Sequence, residues 1–151
     1  MSTELVLTRA GSAAARIEEL IRTSSISIDA ALYRFNNPRL AGALEAAAQR
    51  GVAVRLVLDR NKYEESRATQ ELFSKGLTPL RLAFGRRGPP SKMHHKFVII
   101  DRSIVLTGSY NWTLESEEQN FESLLIDCSS KHAAQYQNEF DALWSEATPA
   151  A

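Results

Sequence analysis

The chain has 151 residues, 44% of them hydrophobic and 24% charged, and its 18 Lys/Arg balance its 18 Asp/Glu. That length and composition suit one globular domain over 1–151 and exclude fibrous, low-complexity and largely disordered classes. A single cysteine, Cys128, excludes an internal disulfide and a Cys-rich zinc site.

In chain order, ELVLT (4–8) predicts a short strand and GSAAARIEELIRT (11–23) a helix capped by Ser12, with Ile17, Leu20 and Ile21 on one face. Charged residues at Glu4, Arg9, Arg16, Glu18 and Glu19 interrupt any signal-peptide core, and no run approaches the ~20 apolar residues of a membrane span. The expectation is a soluble cytoplasmic protein without stable membrane insertion. SISIDAALYRF (25–35) alternates as a strand. Asn37-Pro38 starts a helix that runs to Arg50 and ends on Gly51. VAVRLVLD (52–59) predicts an apolar strand, 64–75 a helix ending at Gly76, and LTPLRLA (77–83) an edge or bulged strand because of Pro79.

FGRRGPPSK (84–92) is a loop carrying Arg86, Arg87 and Lys92. KMHHKFVIID, SIVLTGSYNW and NFESLLID predict three strands in close succession. KHAAQYQNEFDALWSEA (131–147) predicts an amphipathic helix with Tyr136, Phe140, Leu143 and Trp144 on one stripe. Alternating strands and helices in the first half and adjacent strands in the second predict an α/β fold. Its central sheet is expected to be mixed, largely parallel and flanked by helices on both faces.

Charge is unevenly spread. Residues 50–102 carry twelve Lys/Arg against five acids, and residues 103–151 one Lys against eight acids. Either the basic third meets a polyanion or the two thirds neutralise each other in the fold.

Strand alternation separates MHHKFVIID into two sides. His94 and Lys96 share one. His95, Phe97 and Ile99 share the other, where His95 reads as a hydrogen-bonded structural histidine. The same alternation pairs Ser109 with Asn111 in GSYNW and Asn120 with Glu122 in NFE, and assigns Tyr110, Trp112 and Phe121 to the core rather than to base stacking. Imidazole is a nucleophile or acid/base near neutral pH, Lys a phosphate counter-charge, Ser and Asn donors to anionic oxygens, and Glu an anchor for a histidine. That inventory suits a phosphodiester, with no metal and no cofactor required.

His94-x-Lys96-x4-Asp101 resembles the HxKxxxxD signature of the phospholipase D superfamily, GSYNWT (108–113) its GSxN segment, and Asn120-Phe121-Glu122 its downstream NxE. The likeness covers roughly residues 20–127. By size and by its one motif the chain resembles the small bacterial endonuclease subfamily, which is homodimeric. The mitochondrial cardiolipin-hydrolase and piRNA-nuclease branch also has one motif, but typically with a membrane anchor and a Cys/His zinc element that are not seen here.

The resemblance implies a phospholipase D-like fold with the active site at a homodimer interface. It implies a metal-independent phosphodiesterase acting through a covalent phosphohistidine. His94 of one protomer is the nucleophile and His94 of the other the acid and base. Lys96, Ser109 and Asn111 neutralise the phosphoryl oxygens, Glu122 fixes a histidine, and Asn120 contributes to binding. Asp101 is expected to be a structural turn residue. Arg86, Arg87 and Lys92 read as either a solvated loop or a phosphate-binding rim. The expected activity is non-specific endonuclease. The alternatives are a phospholipase D-type enzyme on phospholipid head groups and an inactive scaffold, and the intact His94, Lys96, Ser109, Asn111 and Glu122 argue against the last.

Overall fold

The computed structural model describes residues 3–150. Its strands are β1 (Glu4–Leu7), β2 (Ser27–Leu32), β3 (Ala53–Asp59), β4 (Leu80–Ala83), β5 (Lys96–Ile100), β6 (Ile104–Gly108), β7 (Ser123–Asp127) and β8 (Thr148–Pro149). Its helices are α1 (Ala13–Arg22), α2 (Pro38–Gln49), α3 (Arg60–Glu65), α4 (Arg67–Leu72), α5 (Leu114–Glu118) and α6 (Ser130–Glu146).

All eight strands form one sheet in the order β1-β7-β6-β5-β2-β3-β4-β8. Helices cover both of its faces, as expected. The balance of pairing differs from the largely parallel sheet expected: β2–β3 and β3–β4 are parallel, and the other five pairs are antiparallel. Crossover helices enforce parallel pairing only where they exist, between residues 38 and 72. The three residues between β5 and β6 are too few for a crossover, and the stretch between β6 and β7 holds only the short α5; both return the chain antiparallel.

Strand alternation sorts the core. Ile28, Ala30, Leu32, Leu56, Leu58, Val98 and Ile100 face α1 and α2 together with Ile17, Ile21, Leu40 and Leu44. Ala31, Val57, Phe97, Ile99 and Val105 face α6, which contributes Tyr136, Phe140, Leu143 and Trp144 as its stripe predicts. Side chains on both sides of β2 are buried, and they are apolar apart from Ser27 and Asp29, whose carboxylate pairs with Arg55 at 2.8 Å.

Local sequence explains the helix boundaries. Ser12 accepts a hydrogen bond from Ala15 N at 3.0 Å, and Asn37 from Arg39 N at 3.0 Å. Gly51 closes α2 with φ of 96°. The single helix expected over 64–75 is two helices. Asp59 caps α3 early, and Ser66 adopts an extended conformation in order to cap α4 through Thr69 N, which breaks the continuity.

The three second-half strands are shorter than expected. β5 starts at Lys96, β6 stops at Gly108 and β7 starts at Ser123. The polar pairs therefore sit at or just beyond strand ends, and α5 lies in the connection from β6 to β7.

Candidate active site

The antiparallel course of β5, β6 and β7 brings the start of β5, the end of β6 and the start of β7 to one end of the sheet. The ends of parallel β2 and β3 lie at the same end, because Leu32 pairs with Lys96 and Leu58 with Leu32. Ligand sites in open α/β sheets gather at the carboxyl ends of parallel strands. His94, Lys96, Ser109 and Glu122 are all carried there.

His94 is held from two sides. The Tyr33 ring packs against its imidazole, centroids 4.4 Å apart. Lys96 Nζ donates to His94 Nδ1 at 3.3 Å and to its carbonyl at 3.2 Å. Tyr33 N donates to the His95 carbonyl at 2.9 Å, which ties the stretch before β5 to the end of β2. Burial against these neighbours, then the ammonium groups of Lys96 and Lys92, lower the His94 pKa below its usual 6.5 and favour the neutral, nucleophilic ring. Lys96 is itself half-buried. Desolvation lowers its pKa, opposed by the nearby Glu122 carboxylate.

Glu122 organises the other side. Its Oε1 accepts from Ser109 Oγ at 2.6 Å, and its Oε2 from Ser116 Oγ at 2.8 Å and Asn120 Nδ2 at 3.2 Å. Its partners are thus hydroxyls and an amide, with no histidine among the described residues. Thr8 clasps its backbone: Glu122 N donates to Thr8 Oγ1 at 2.8 Å, and Thr8 N donates to Glu122 O at 3.1 Å. Asn111 is half-buried, and its Oδ1 is buried with no hydrogen-bond partner among the described residues. Ser27, Thr78, Glu115 and Gln137 hold such oxygens too, and that of Asn111 is the one within the Ser109–Asn111 pair.

Gly108 makes the Ser109–Glu122 contact possible. A Cβ there would lie 2.2 Å from the Ser123 carbonyl, which instead accepts from Ser109 N at 3.1 Å. Gly108→Ala is expected to cost about 2 kcal/mol or more through this clash and to lower turnover per folded molecule by moving Ser109. Urea unfolding and turnover measured on the same samples check both effects.

Arg86, Arg87 and Lys92 are exposed and join no ion pair among the described residues. The middle and last thirds of the chain do not neutralise each other broadly, since Arg55–Asp141 is the one Arg/Lys–carboxylate pair joining them among the described residues. Arg86 and Lys92 line an open groove of about 620 Å³ with Phe84, His94, His95 and Glu139. His94 therefore opens directly onto the basic loop.

Two placements differ from expectation. His95 shares the Phe97 side of the strand but lies at its open end, exposed, with Nε2 2.9 Å from Glu139 on α6. Phe121 is 75% exposed rather than in the core, because β7 begins two residues later and the ring falls outside the sheet, under the Arg9 guanidinium at 4.2 Å. Tyr110 and Trp112 are buried as expected, and Tyr110 donates to Glu117 at 2.8 Å. Asp101 lies at the opposite end of β5 from Lys96. Its Oδ1 accepts from Ser25 N, Ile26 N and Ser27 N at 3.1, 2.7 and 3.1 Å.

Sequence reasoning missed Tyr33 and Asp59. Asp59 is fully buried at the end of β3 and accepts from Met93 N at 2.9 Å and Lys62 N at 3.0 Å, fixing the approach to His94. The signal was a lone acid closing the apolar run VAVRLVLD. Among the described residues no three His, Cys, Asp or Glu side chains converge as a metal cage, and no helix is long and apolar enough to cross a membrane.

Residues 17–144 match the family described as cardiolipin synthase, PLD-like domain. The mitochondrial cardiolipin hydrolase of Xenopus tropicalis is 35% identical over 142 residues, covering 92% of this chain and 64% of that protein. The human mitochondrial cardiolipin hydrolase is 31% identical over 138 residues, covering 91% and 53%. The chain thus spans about half to two thirds of the length of these relatives. Among solved structures, the phospholipase D family member Nuc from Salmonella typhimurium superposes with a TM-score of 0.88 at 28% identity, covering 98% of this chain and 97% of that one. NucT from Helicobacter pylori shares the fold, with a TM-score of 0.86 at 21% identity and coverage of 98% and 99%.

Proposed function

Because the chain belongs to the phospholipase D superfamily and carries one copy of its motif, we propose that it is a metal-independent phosphodiesterase working as a homodimer, and that its substrate is nucleic acid. The observation that carries this reading is the convergence of His94, Lys96, Ser109 and Glu122 at one sheet end that opens onto the groove of Arg86 and Lys92.

In the first step His94 attacks phosphorus, an N–P bond forms, and the bond to the leaving oxygen breaks. The partner subunit's His94 gives its proton to that oxygen. In the second step the same partner histidine takes a proton from water, the water oxygen attacks phosphorus, and the N–P bond breaks. Lys96, Ser109 and Asn111 offset charge on the phosphoryl oxygens, while Asn120 and Glu122 hold Ser109 in place. One imidazole cannot be both nucleophile and leaving-group acid in one displacement, which is the chemical reason for a second subunit.

Exposed Leu7 and Phe121 beside Ser109 and Glu122 support contact with another copy at this face. The unpartnered Asn111 Oδ1 fits a site completed from outside the chain. Arg86 and Lys92 in the groove, with exposed Arg87 on the same loop, supply cations for a phosphate polymer.

A second reading is cleavage of phospholipid head groups. It is favoured by the curated relatives, named as cardiolipin hydrolases, and by the apolar depression of about 410 Å³ that Leu7, Ala10 and Phe121 form next to Glu122. One paired assay separates the two. The protein is incubated in excess EDTA with supercoiled plasmid and single-stranded DNA, and separately with cardiolipin vesicles. Nicking that persists in EDTA is expected. Lipid turnover without nicking overturns the nuclease reading, and inactivation by EDTA overturns the metal-independent chemistry.

A further inference from the structure

Tyr33 also lines a cleft of about 230 Å³ whose walls include none of His94, Lys96, Ser109, Asn111, Asn120 and Glu122. Its walls include Tyr33, Arg34, Asn36, Lys62 and Ser66. Tyr33 is common to the cleft and the His94 site. Its ring, 8% exposed, carries His94 on one side at 4.4 Å and sits near two ammonium groups, Lys96 at 5.5 Å and Lys62 at 5.8 Å from its centroid. Cations hold well over an aromatic face, so the ring fixes both lysines relative to the reacting imidazole. The two ammonium groups can be no farther apart than those two distances together, a span that neighbouring phosphates of one strand can bridge.

The charge of the cleft selects its ligand. Lys62 and Arg34 supply two cations. The one carboxylate on the wall, Glu65, is exposed and already engaged by Lys62 at 3.3 Å. Exposed pairs of this kind are weak and yield readily to a better anion. Asn36 and Ser66 add neutral polar groups to the wall. A cationic head group would face repulsion here, and an apolar chain would strand the lysine.

We propose that this cleft is a second phosphate subsite, in which Lys62, aided by Arg34, holds the phosphate next to the scissile one. The proposal rests on the nuclease reading above and sharpens it: the preferred substrate carries two neighbouring phosphodiesters, one at His94 and one in the cleft. The strand then runs from the Arg86–Lys92 groove, past His94, into the cleft.

The test compares kcat/KM for bis(4-nitrophenyl) phosphate, for a thymidine dinucleotide with one phosphodiester and for a trinucleotide with two. The wild-type protein is expected to favour the trinucleotide over the dinucleotide by about ten-fold, the worth of one charge-assisted contact. Lys62→Met should bring that ratio close to one, and Lys62→Arg should restore it. In Lys62→Met the salt dependence of log KM for the trinucleotide should flatten by about 0.7 in slope, the share of one phosphate contact on a single strand. No preference in the wild-type protein overturns the subsite. So does a Lys62→Met variant that lowers all three substrates alike with the salt slope unchanged. Turnover of bis(4-nitrophenyl) phosphate with neither oligonucleotide cleaved identifies the nuclease reading as the failure, and the subsite falls with it.

Discussion

His94→Asn is expected to lower turnover by roughly 10,000-fold to a million-fold, the scale seen when a covalent nucleophile is removed, while leaving the fold intact because the side chain is exposed. The sharper expectation concerns mixtures. If each dimer shares one site that needs both copies of His94, equal amounts of wild-type and His94→Asn chains, unfolded and refolded together, give one quarter of the dimers both histidines. Activity should fall to about one quarter, since the remaining heterodimers lack either the nucleophile or the acid, a group worth about 100-fold or more. Independent sites in each chain would give one half instead, and that result sinks the shared site.

The pH profile carries a matching sign. In the proposed mechanism the nucleophile must be neutral, and His94 is neutral above a pKa that burial, Lys96 and Lys92 hold below the usual imidazole value. The acid limb of kcat/KM should therefore lie below 6.5, and Lys92→Gln, which removes one of the two ammonium groups, should move it upward.

Asp101→Ala is expected to destabilise the protein by about 3 kcal/mol, from loss of a charged acceptor for three backbone N–H groups and from a left-handed conformation that alanine resists. Asp101 has φ of 54°, and its carboxylate holds the chain entering β2. Asp101→Asn keeps an acceptor oxygen and tolerates that conformation, so it should cost only about 1 kcal/mol. Urea unfolding of the pair measures both. Turnover per folded molecule should be unchanged in each, because the length of β5, roughly 16 Å at ordinary strand rise, separates Asp101 from Lys96. A large loss of turnover at full folding would contradict the structural role.

Much of this was readable in the sequence, for local reasons. Caps at Ser12 and Asn37, the stop at Gly51 and the stripe of α6 depend on neighbours within a few residues, and they appear where expected. The motif pairs also point to one region. What alternation could not give is where each strand stops. His94, Ser109 and Glu122 lie beyond strand ends because the ladder closes at Lys96, Gly108 and Ser123, and only pairing partners decide that. Tyr33 and Asp59 were opaque for the same reason. Each acts on the stretch around His94 through a contact that long-range strand pairing creates. Phe121 misled because an aromatic residue beside a strand usually packs inward, whereas β7 begins only at Ser123 and leaves the ring outside the sheet.

The place of β1 has a consequence for the timing of synthesis. It is made well before β7, its sole sheet neighbour among the described residues, with Glu4 opposite Ile126. At ordinary elongation rates that partner emerges roughly ten seconds later. Until then Thr8 has no Glu122 to clasp, and Glu122 cannot settle against Ser109. A chain still under synthesis therefore carries this side of the site unassembled until β7 has been made, and β1 then latches it.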